Sequence, residues 1–508
     1  MASQADHQLH FILFPLMSPG HANPVIDIAK LLAQRGATIT IITTPVNGVR
    51  YKQFIARAIE LGLKIRLHEL QFPSTGTGLP EGCENFDLLP SLSLAMNFFS
   101  AITRLQPQFE RFLEEVVPKA SCIISDQLVF CATEAARKFG IPRIVFLGPG
   151  CFPMLCAYHV SVSKVLESVS SDSDPFSVPG LPERIKFTKD QLTAPISQES
   201  QDSKDSGGFE KLMEWEREAY GIVVNTFEEL EPEYVQEYKK SKANKVWCIG
   251  PVSLCNKDNL EKAERGNMTS IDVNQCLKWL DSWQPSSVVY ACFGSLNNLI
   301  PSQMMELGLG LESSNKPFIW VLRGNNDSKE LKKLMLEDGF EERTKGRGLL
   351  IWGWAPQVLI LSHPAVGAFL THCGWNSTLE GVSAGVPLIT WPLFADQIYN
   401  EKLIVQELGI GVSLGVKLCM QWGNEDKIGV LVRKEEVEKA VDMVMDGGEE
   451  GEERRKRARE LREMAESAVQ EGGSSYAAIT LLIEDIKQQA HREESTCENE
   501  CLRPHFNT

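Results

Sequence analysis

The stretch Trp354–Gln397, WAPQVLILSHPAVGAFLTHCGWNSTLEGVSAGVPLITWPLFADQ, concentrates residue types that could hold a phosphorylated, hydroxyl-rich ligand. Asn376, Ser377 and Thr378 stand where a helix N-terminus would present free N–H groups to an anion, and Gly374 just before them lets the backbone approach closely. A diphosphate fits such a turn, with His372 adding a positive or hydrogen-bonding contact. Glu380, one helical turn past Asn376, has a carboxylate able to accept both hydroxyls of a ribose. Trp354 offers a flat face for stacking a base, and Asp396 and Gln397 carry acceptor and amide groups suited to sugar hydroxyls. Together the chemistry is that of a nucleotide-sugar site. Taken singly, Trp354 is more often core than platform, Asn376-Ser377-Thr378 is an ordinary helix cap, and His372-Cys373 hints at metal without a second pair at ligand spacing.

Such residues act together only if strand ends deliver them to one place. The apolar runs AVGAFL (365–370) and VPLITW (386–391) read as buried parallel strands, each followed by a polar, turn-forming cluster, and GLLIWGW (348–354) is a further apolar run ending on Trp354. Ligands collect at such strand ends. Near the start, HFILFPLM (10–17) reads as a first strand and SPGHANPVIDIAKLLAQRG (18–36) as a turn and amphipathic helix closed by Gly36. His21 therefore sits at a strand–helix junction, which by itself makes it only a helix-start histidine. SCIISD (121–126) is a strand ending in Asp126, and SSVVYACFGS (286–295) is one ending in Ser295, alone no more than a turn, before a helix opened by Pro301. The first half alternates strand-like runs (10–17, 37–45, 121–126, 143–148) with helical segments, and a second αβ series runs from Cys276 to about 480. Between them SLCNKDNLEKAERGNMTSID (253–272) loses periodicity and gains charge, as a linker would. Neither half carries G-x-G-x-x-G after a strand, which counts against a dinucleotide oxidoreductase.

The stretch 354–397 resembles, without a gap, the signature box of the plant secondary-product UDP-glycosyltransferases, members of glycosyltransferase family 1, and the similarity extends over nearly the whole chain. The resemblance implies an α/β chain of GT-B fold, two Rossmann-like doubly wound domains facing across a cleft. Residues 1–252 would bind the acceptor and 273–480 the UDP-sugar, with the helix near 475–487 crossing back to the first domain and 488–508 a disordered tail. It implies that Trp354 stacks on uracil with Ala355 and Gln357 nearby, that Glu380 holds the ribose, and that His372, Asn376 and Ser377 hold the diphosphate beside Gly374. Ser295 resembles the family's phosphate-contacting serine; Trp375, Asp396 and Gln397 would hold the sugar, and a Gln at the place of Gln397 goes with glucose donors. Pro19-Gly20-His21 resembles the position of the catalytic base, Asp126 matches its partner carboxylate, and Met17-Ser18-Pro19 replaces a commoner Gln-containing lead-in.

Those residues imply a mechanism. A protonated alcohol or phenol is a poor nucleophile, so attack on an anomeric carbon benefits from a base with pKa near ambient pH, which a histidine at about 6.5 supplies. Asp126 would accept the other ring N–H of His21, fix the tautomer and stabilise the imidazolium, while helix N–H groups and His372 hold the departing UDP. The expected activity is inverting, UDP-glucose-dependent O-glucosylation of a small lipophilic acceptor, with UDP-glucose as co-substrate, no separate cofactor and no metal. PVSLCNK and KAERGN resemble a subgroup acting on terpenoids, steroid hormones and flavonoids, and Phe86, Phe130, Phe152 and Phe394 are candidates for the acceptor pocket. Other readings are another UDP-sugar, a cytokinin or phenolic acceptor, or a non-catalytic nucleotide-sugar binding protein, which should lack His21 or Asp126.

Composition agrees. The chain has 508 residues, room for two domains, and 43% hydrophobic residues, enough for substantial cores. Its formal charge of −16 argues against nucleic acid or an anionic membrane as partner. The opening MASQADHQLH is polar and HFILFPLM is short and interrupted by Pro15, so no signal peptide or membrane span is expected and the reading is a cytoplasmic monomer. Thirteen cysteines without repeated short spacing, among them Cys122, Cys292 and Cys373, read as reduced core residues.

Overall fold

A computed structural model describes residues 8–192, 208–242, 244–296, 299–322, 327–418, 420 and 429–501. The continuous apolar runs become strands buried along their length: β1 (His10–Phe14), β4 (Cys122–Asp126) and β5 (Arg143–Leu147) are buried at every position. With β2 (Thr38–Thr43), β3 (Ile65–Glu69), β8 (Gly221–Val224) and β9 (Lys245–Cys248) they form a seven-stranded sheet of order β3-β2-β1-β4-β5-β8-β9, parallel throughout. Two short strands, β6 (Phe176–Ser177) and β7 (Lys186–Phe187), pair antiparallel outside it. The second sheet is six-stranded and parallel. It is built from β10 (Val288–Cys292), β11 (Phe318–Leu322), β12 (Gly348–Trp352), β13 (Val366–Thr371), β14 (Leu388–Thr390) and β15 (Gly411–Ser413), in the order β12-β11-β10-β13-β14-β15.

Both sheets reverse their winding once. In the first the chain moves outward from β1 through β2 to β3, then returns to place β4 on the other side of β1; in the second β10 and β13 stand in the same relation. The carboxyl ends of two such neighbours diverge into a crevice, the usual ligand position in open parallel sheets. His21 lies in the first helical turn after β1 and Asp126 is the last residue of β4, while the segments directly after β10 and β13 carry Ser295 and His372.

One apolar cluster joins the two halves. Leu147, Phe152 and Phe227 lie in the same buried group as Tyr290, Phe369, Trp375 and Leu388, and the Phe187 ring meets Tyr399 edge-on at 5.5 Å. The segment 253–272 is not featureless: Asn259–Glu264 forms a helical turn capped by Asp258, whose carboxylate accepts the Glu261 N–H at 2.8 Å. Six residues are too few to show a 3.6-residue period in sequence. The last helix, Ser474–Cys501, buries Ile479, Leu482 and Ile486 against the first sheet and pairs Asp485 with Lys245 at 2.7 Å. It runs on through Cys501, so residues 488–501 are helical rather than the disordered tail expected of 488–508. No Gly or Pro interrupts it between Ser474 and Cys501, so no helix-breaking residue stops it at 488. Residues 502–508 lie outside the described residues. Cys122, Cys292 and Cys373 are buried free thiols, and among the described residues no helix is long and apolar enough to cross a membrane.

Candidate active site

The turn after β1 ends at Ser18, and the helix Pro19–Ala33 begins on a proline whose fixed φ suits a first helical position. That puts His21 in the first turn, facing the end of β4. His21 Nδ1 lies 2.6 Å from Asp126 Oδ2; a carboxylate can only accept, so Nδ1 carries the proton and Nε2 is left as the basic nitrogen. Asp126 is fully buried and its Oδ1 accepts the Leu128 N–H at 2.9 Å, whereas the His21 side chain keeps 26% exposure at the cleft. Burial alone would lower the pKa of His21. The charge and hydrogen bond of Asp126, with a smaller contribution from Asp396, outweigh that and raise it above 6.5.

Asp396 belongs to the other half of the molecule, after β14. Burial pushes its carboxyl upward; Asn400, donating to Oδ2 at 2.8 Å, and the nearby His21 pull the other way, and burial prevails. Asn400 also donates to the Cys373 carbonyl at 2.8 Å and so ties the Asp396 loop to the His372 loop. His372 sits between Gly294 and Gly374, where a Cβ would fall 2.6 Å and 2.4 Å from its ring; glycine at both is what lets the ring lie there. Burial drives its pKa down to about 4, and Nδ1 has no hydrogen-bond partner among the described residues. His372 is therefore neutral in this state. Of the two contacts expected from sequence, a positive charge or a hydrogen bond, only the second is on offer.

The helix Trp375–Ala384 follows, with Gly374 at its N-cap and no side-chain cap, so its first N–H groups keep their donor capacity. Two expected ligand groups on it are engaged across the cleft instead. The Trp375 indole donates to the Asn225 carbonyl at 2.7 Å and packs so closely on Gly150 that a Cβ there would fall 2.4 Å from the ring. The Asn376 amide donates to the Gly20 carbonyl, and its oxygen accepts from Asn225 Nδ2 at 3.3 Å. What the turn presents to a ligand is thus mainly backbone. Ser377 and Glu380 are drawn together by Gln357, whose Nε2 donates to Ser377 Oγ at 3.1 Å and Glu380 Oε2 at 2.7 Å. Trp354 is partly buried beside the buried Ala355, and its backbone exchanges two hydrogen bonds with Ser270, at 2.8 and 2.9 Å. Ser295 lies partly exposed in the turn after β10.

Gln397 is buried, and its side-chain oxygen accepts the N–H groups of Leu393 at 2.8 Å and Phe394 at 3.0 Å. Only the NH2 of its amide remains for a sugar. Gln397→Glu, which keeps both backbone contacts while turning the donor into an acceptor, should lower kcat/KM with UDP-glucose by roughly 10-fold or more, as expected for one lost hydrogen bond on a buried site. Gln397→His should lose more, since the 393–394 turn goes with it. Unchanged rates in Gln397→Glu at full folding would remove the amide from the sugar site.

Of the aromatic acceptor candidates, Phe86, Phe152 and Phe394 are buried core residues, and Phe130 packs on Trp215 at 4.6 Å between ring centroids. Sequence reasoning missed Asn225, Asn400 and Arg265. Asn225 directly follows β8, so the strand-end rule that singled out Asp126 could have found it.

Residues 273–441 match the family described as UDP-glucoronosyl and UDP-glucosyl transferase. UDP-glycosyltransferase 73C3 of Arabidopsis thaliana is 54% identical over 96% of this chain and 99% of the relative. The chain belongs to the plant UDP-glycosyltransferase family. Another relative of this UDP-glycosyltransferase is UDP-glycosyltransferase 73E1 of Stevia rebaudiana, 54% identical over 94% of this chain and 97% of the relative, so the chain sits in the 73 subgroup. Among solved structures, Glycyrrhiza uralensis UGT73P12 complexed with glycyrrhetinic acid 3-O-monoglucuronide superposes with a TM-score of 0.88 at 36% identity, covering 97% of this chain and 99% of that one. Medicago truncatula UGT71G1 complexed with UDP-glucose gives 0.73 at 27% identity, covering 94% and 98%. The two-sheet architecture is thus GT-B, and the protein is a glycosyltransferase that uses a UDP-sugar and a small acceptor.

Proposed function

We propose that the enzyme transfers glucose from UDP-glucose to a hydroxyl of a small lipophilic acceptor, of triterpenoid, steroid or flavonoid kind, with inversion at the anomeric carbon. The observation that carries the chemistry is the 2.6 Å contact between His21 and the buried Asp126, with Asp396 of the other half close enough to raise the same ring's pKa. The acceptor oxygen gives its proton to His21 Nε2 as it forms the new bond to the anomeric carbon. The bond from that carbon to the UDP oxygen breaks with its electron pair, and UDP departs toward the N–H groups at the start of the Trp375–Ala384 helix. One in-line displacement converts an α-linked donor into a β-linked product. In this reading Glu380 accepts the ribose hydroxyls, Trp354 faces uracil, Ser295, Ser377 and a neutral His372 meet the diphosphate, and Asp396 and Gln397 meet the sugar.

Gln397 and the UDP-glucose held by the Medicago truncatula neighbour favour glucose as donor; the glycyrrhetinic acid conjugate held by the Glycyrrhiza uralensis neighbour favours a polycyclic lipophilic acceptor. The test is incubation with UDP-glucose, UDP-galactose, UDP-glucuronate and UDP-rhamnose against triterpenoids, steroids, flavonoids and cytokinins, with products read by mass and their anomeric configuration by NMR. β-Glucosides of a lipophilic alcohol or phenol are expected. An α-linked product, or clear preference for another donor, overturns the reading.

A further inference from the structure

The segment 253–272 does more than join two sheets, because one of its side chains enters the nucleoside end of the donor site. Arg265 is 10% exposed and spans two buried carboxylates, with Nη1 2.6 Å from Glu380 Oε1 and Nε 2.8 Å from Asp27 Oδ2. Asp27 lies on the helix that carries His21, and its other oxygen accepts from Asn256 Nδ2 at 2.8 Å. Burial opposes the guanidinium's charge, but Asp27 and Glu380 together raise its pKa, so the group is a cation held between two anions. Next to it, Gly266 at φ +94° lies against the Trp354 indole, where a Cβ would fall 2.4 Å from the ring and 3.0 Å from Asn23 Nδ2, and Ser270 holds the Trp354 backbone. One short segment therefore touches both residues assigned to the nucleoside.

A surface arginine pairing with a glutamate would mean little. Here the pair is desolvated, and its geometry leaves Glu380 usable. Each carboxylate oxygen can accept two hydrogen bonds; Arg265 takes one site on Oε1 and Gln357 one on Oε2, so each oxygen keeps an acceptor direction for a hydroxyl while both are fixed in orientation. Without the guanidinium, Glu380 would be a buried carboxylate held, among the described residues, by the Gln357 amide alone, its second oxygen unpaired and its plane free to rotate away from a diol.

We propose that Arg265 is a positioning residue for the donor: it orients Glu380 for the two ribose hydroxyls and, through Asp27, fastens that grip to the helix bearing His21. The proposal rests on the reading that Glu380 accepts the ribose hydroxyls, and the two are separable. Calorimetric titration of UDP and of 2′,3′-dideoxy-UDP into the full chain, as wild type, Glu380→Ala, Arg265→Ala, Arg265→Lys and the Arg265/Glu380 double alanine variant, reads both. Arg265→Ala is expected to weaken UDP about 10-fold, in the range for a charge-assisted contact, and the dideoxy analogue far less. In the Glu380→Ala background it should add little. Lysine, a point charge that cannot bridge two carboxylates as a fork does, should recover only part, and it carries the test if the alanine variant does not fold. KM for UDP-glucose should rise more than kcat falls. Equal loss for both ligands would make Arg265 a packing residue, and unchanged or tighter UDP binding would make it a competitor for Glu380; either overturns the proposal. If Glu380→Ala itself fails to discriminate UDP from the dideoxy analogue, it is the ribose assignment that falls, and the proposal with it.

Discussion

His21→Ala should lower kcat by roughly 10²–10⁴-fold while leaving UDP binding nearly intact, the usual span for removing a positioned general base. Among the described residues no side chain of the second half hydrogen-bonds the His21 ring; its strong partner is Asp126, in the first sheet. The loss should depend on the acceptor. A phenol with pKa near about 10 is partly ionised in mildly alkaline buffer and needs less help than an aliphatic alcohol several units weaker, so the variant should retain more of its activity on phenols, increasingly as pH rises. The substitution also strips a hydrogen bond from a buried carboxylate that, among the described residues, then keeps the Leu128 N–H as its side-chain hydrogen bond, so some lowering of unfolding free energy, about 1–3 kcal/mol, should accompany it. Folding must therefore be verified beside the rates. Wild-type turnover of an aliphatic alcohol by folded His21→Ala would remove His21 from the chemistry.

The parts of this architecture that speak through sequence are those in which one segment folds on itself. Strands β1, β4, β10 and β13 are short apolar runs that must be buried on both faces, and each ends in a polar cluster, so both crevices could be located from period and composition alone. The divisions of labour inside the site are different in kind. Trp375 meets Asn225 over 150 residues and Asn376 meets Gly20 over 356, so neither bond leaves a local signature. Gln397 looks in sequence like a free amide, yet its oxygen closes its own turn because the backbone N–H groups of Leu393 and Phe394 are buried with no strand to receive them. Arg265 lies among the charges of 253–272, which in sequence reads as a linker; its meaning depends on two carboxylates 238 and 115 residues away. A charged residue in a loop is silent in sequence until the fold decides whether water or a buried anion is its neighbour.

Asp126→Asn should cost nearly as much activity as removing the base, and it should also move the pH dependence in a direction that a merely loosened site would not. In the wild type the ring must be neutral at Nε2 to accept a proton, so kcat/KM climbs as His21 deprotonates, and because Asp126 raises that pKa the climb lies above about 6.5. Asparagine fits the same space but has one acceptor and one donor face. With its oxygen toward the Leu128 N–H, its NH2 faces His21 Nδ1 and selects the tautomer protonated at Nε2, which cannot act as base; turned round, it sets NH2 against the Leu128 N–H. A fall in kcat of about 10²–10⁴-fold follows from the wrong tautomer. The negative charge is lost as well, and burial, which by itself lowers the pKa of His21, then meets only the weaker pull of Asp396. The rising limb of kcat/KM should therefore shift to lower pH even as its plateau drops. A pH–rate profile on one acceptor, with the wild type as reference, reads both effects; a lower plateau with the limb unmoved would mean that the limb belongs to another group and that Asp126 holds His21 in place without setting its basicity.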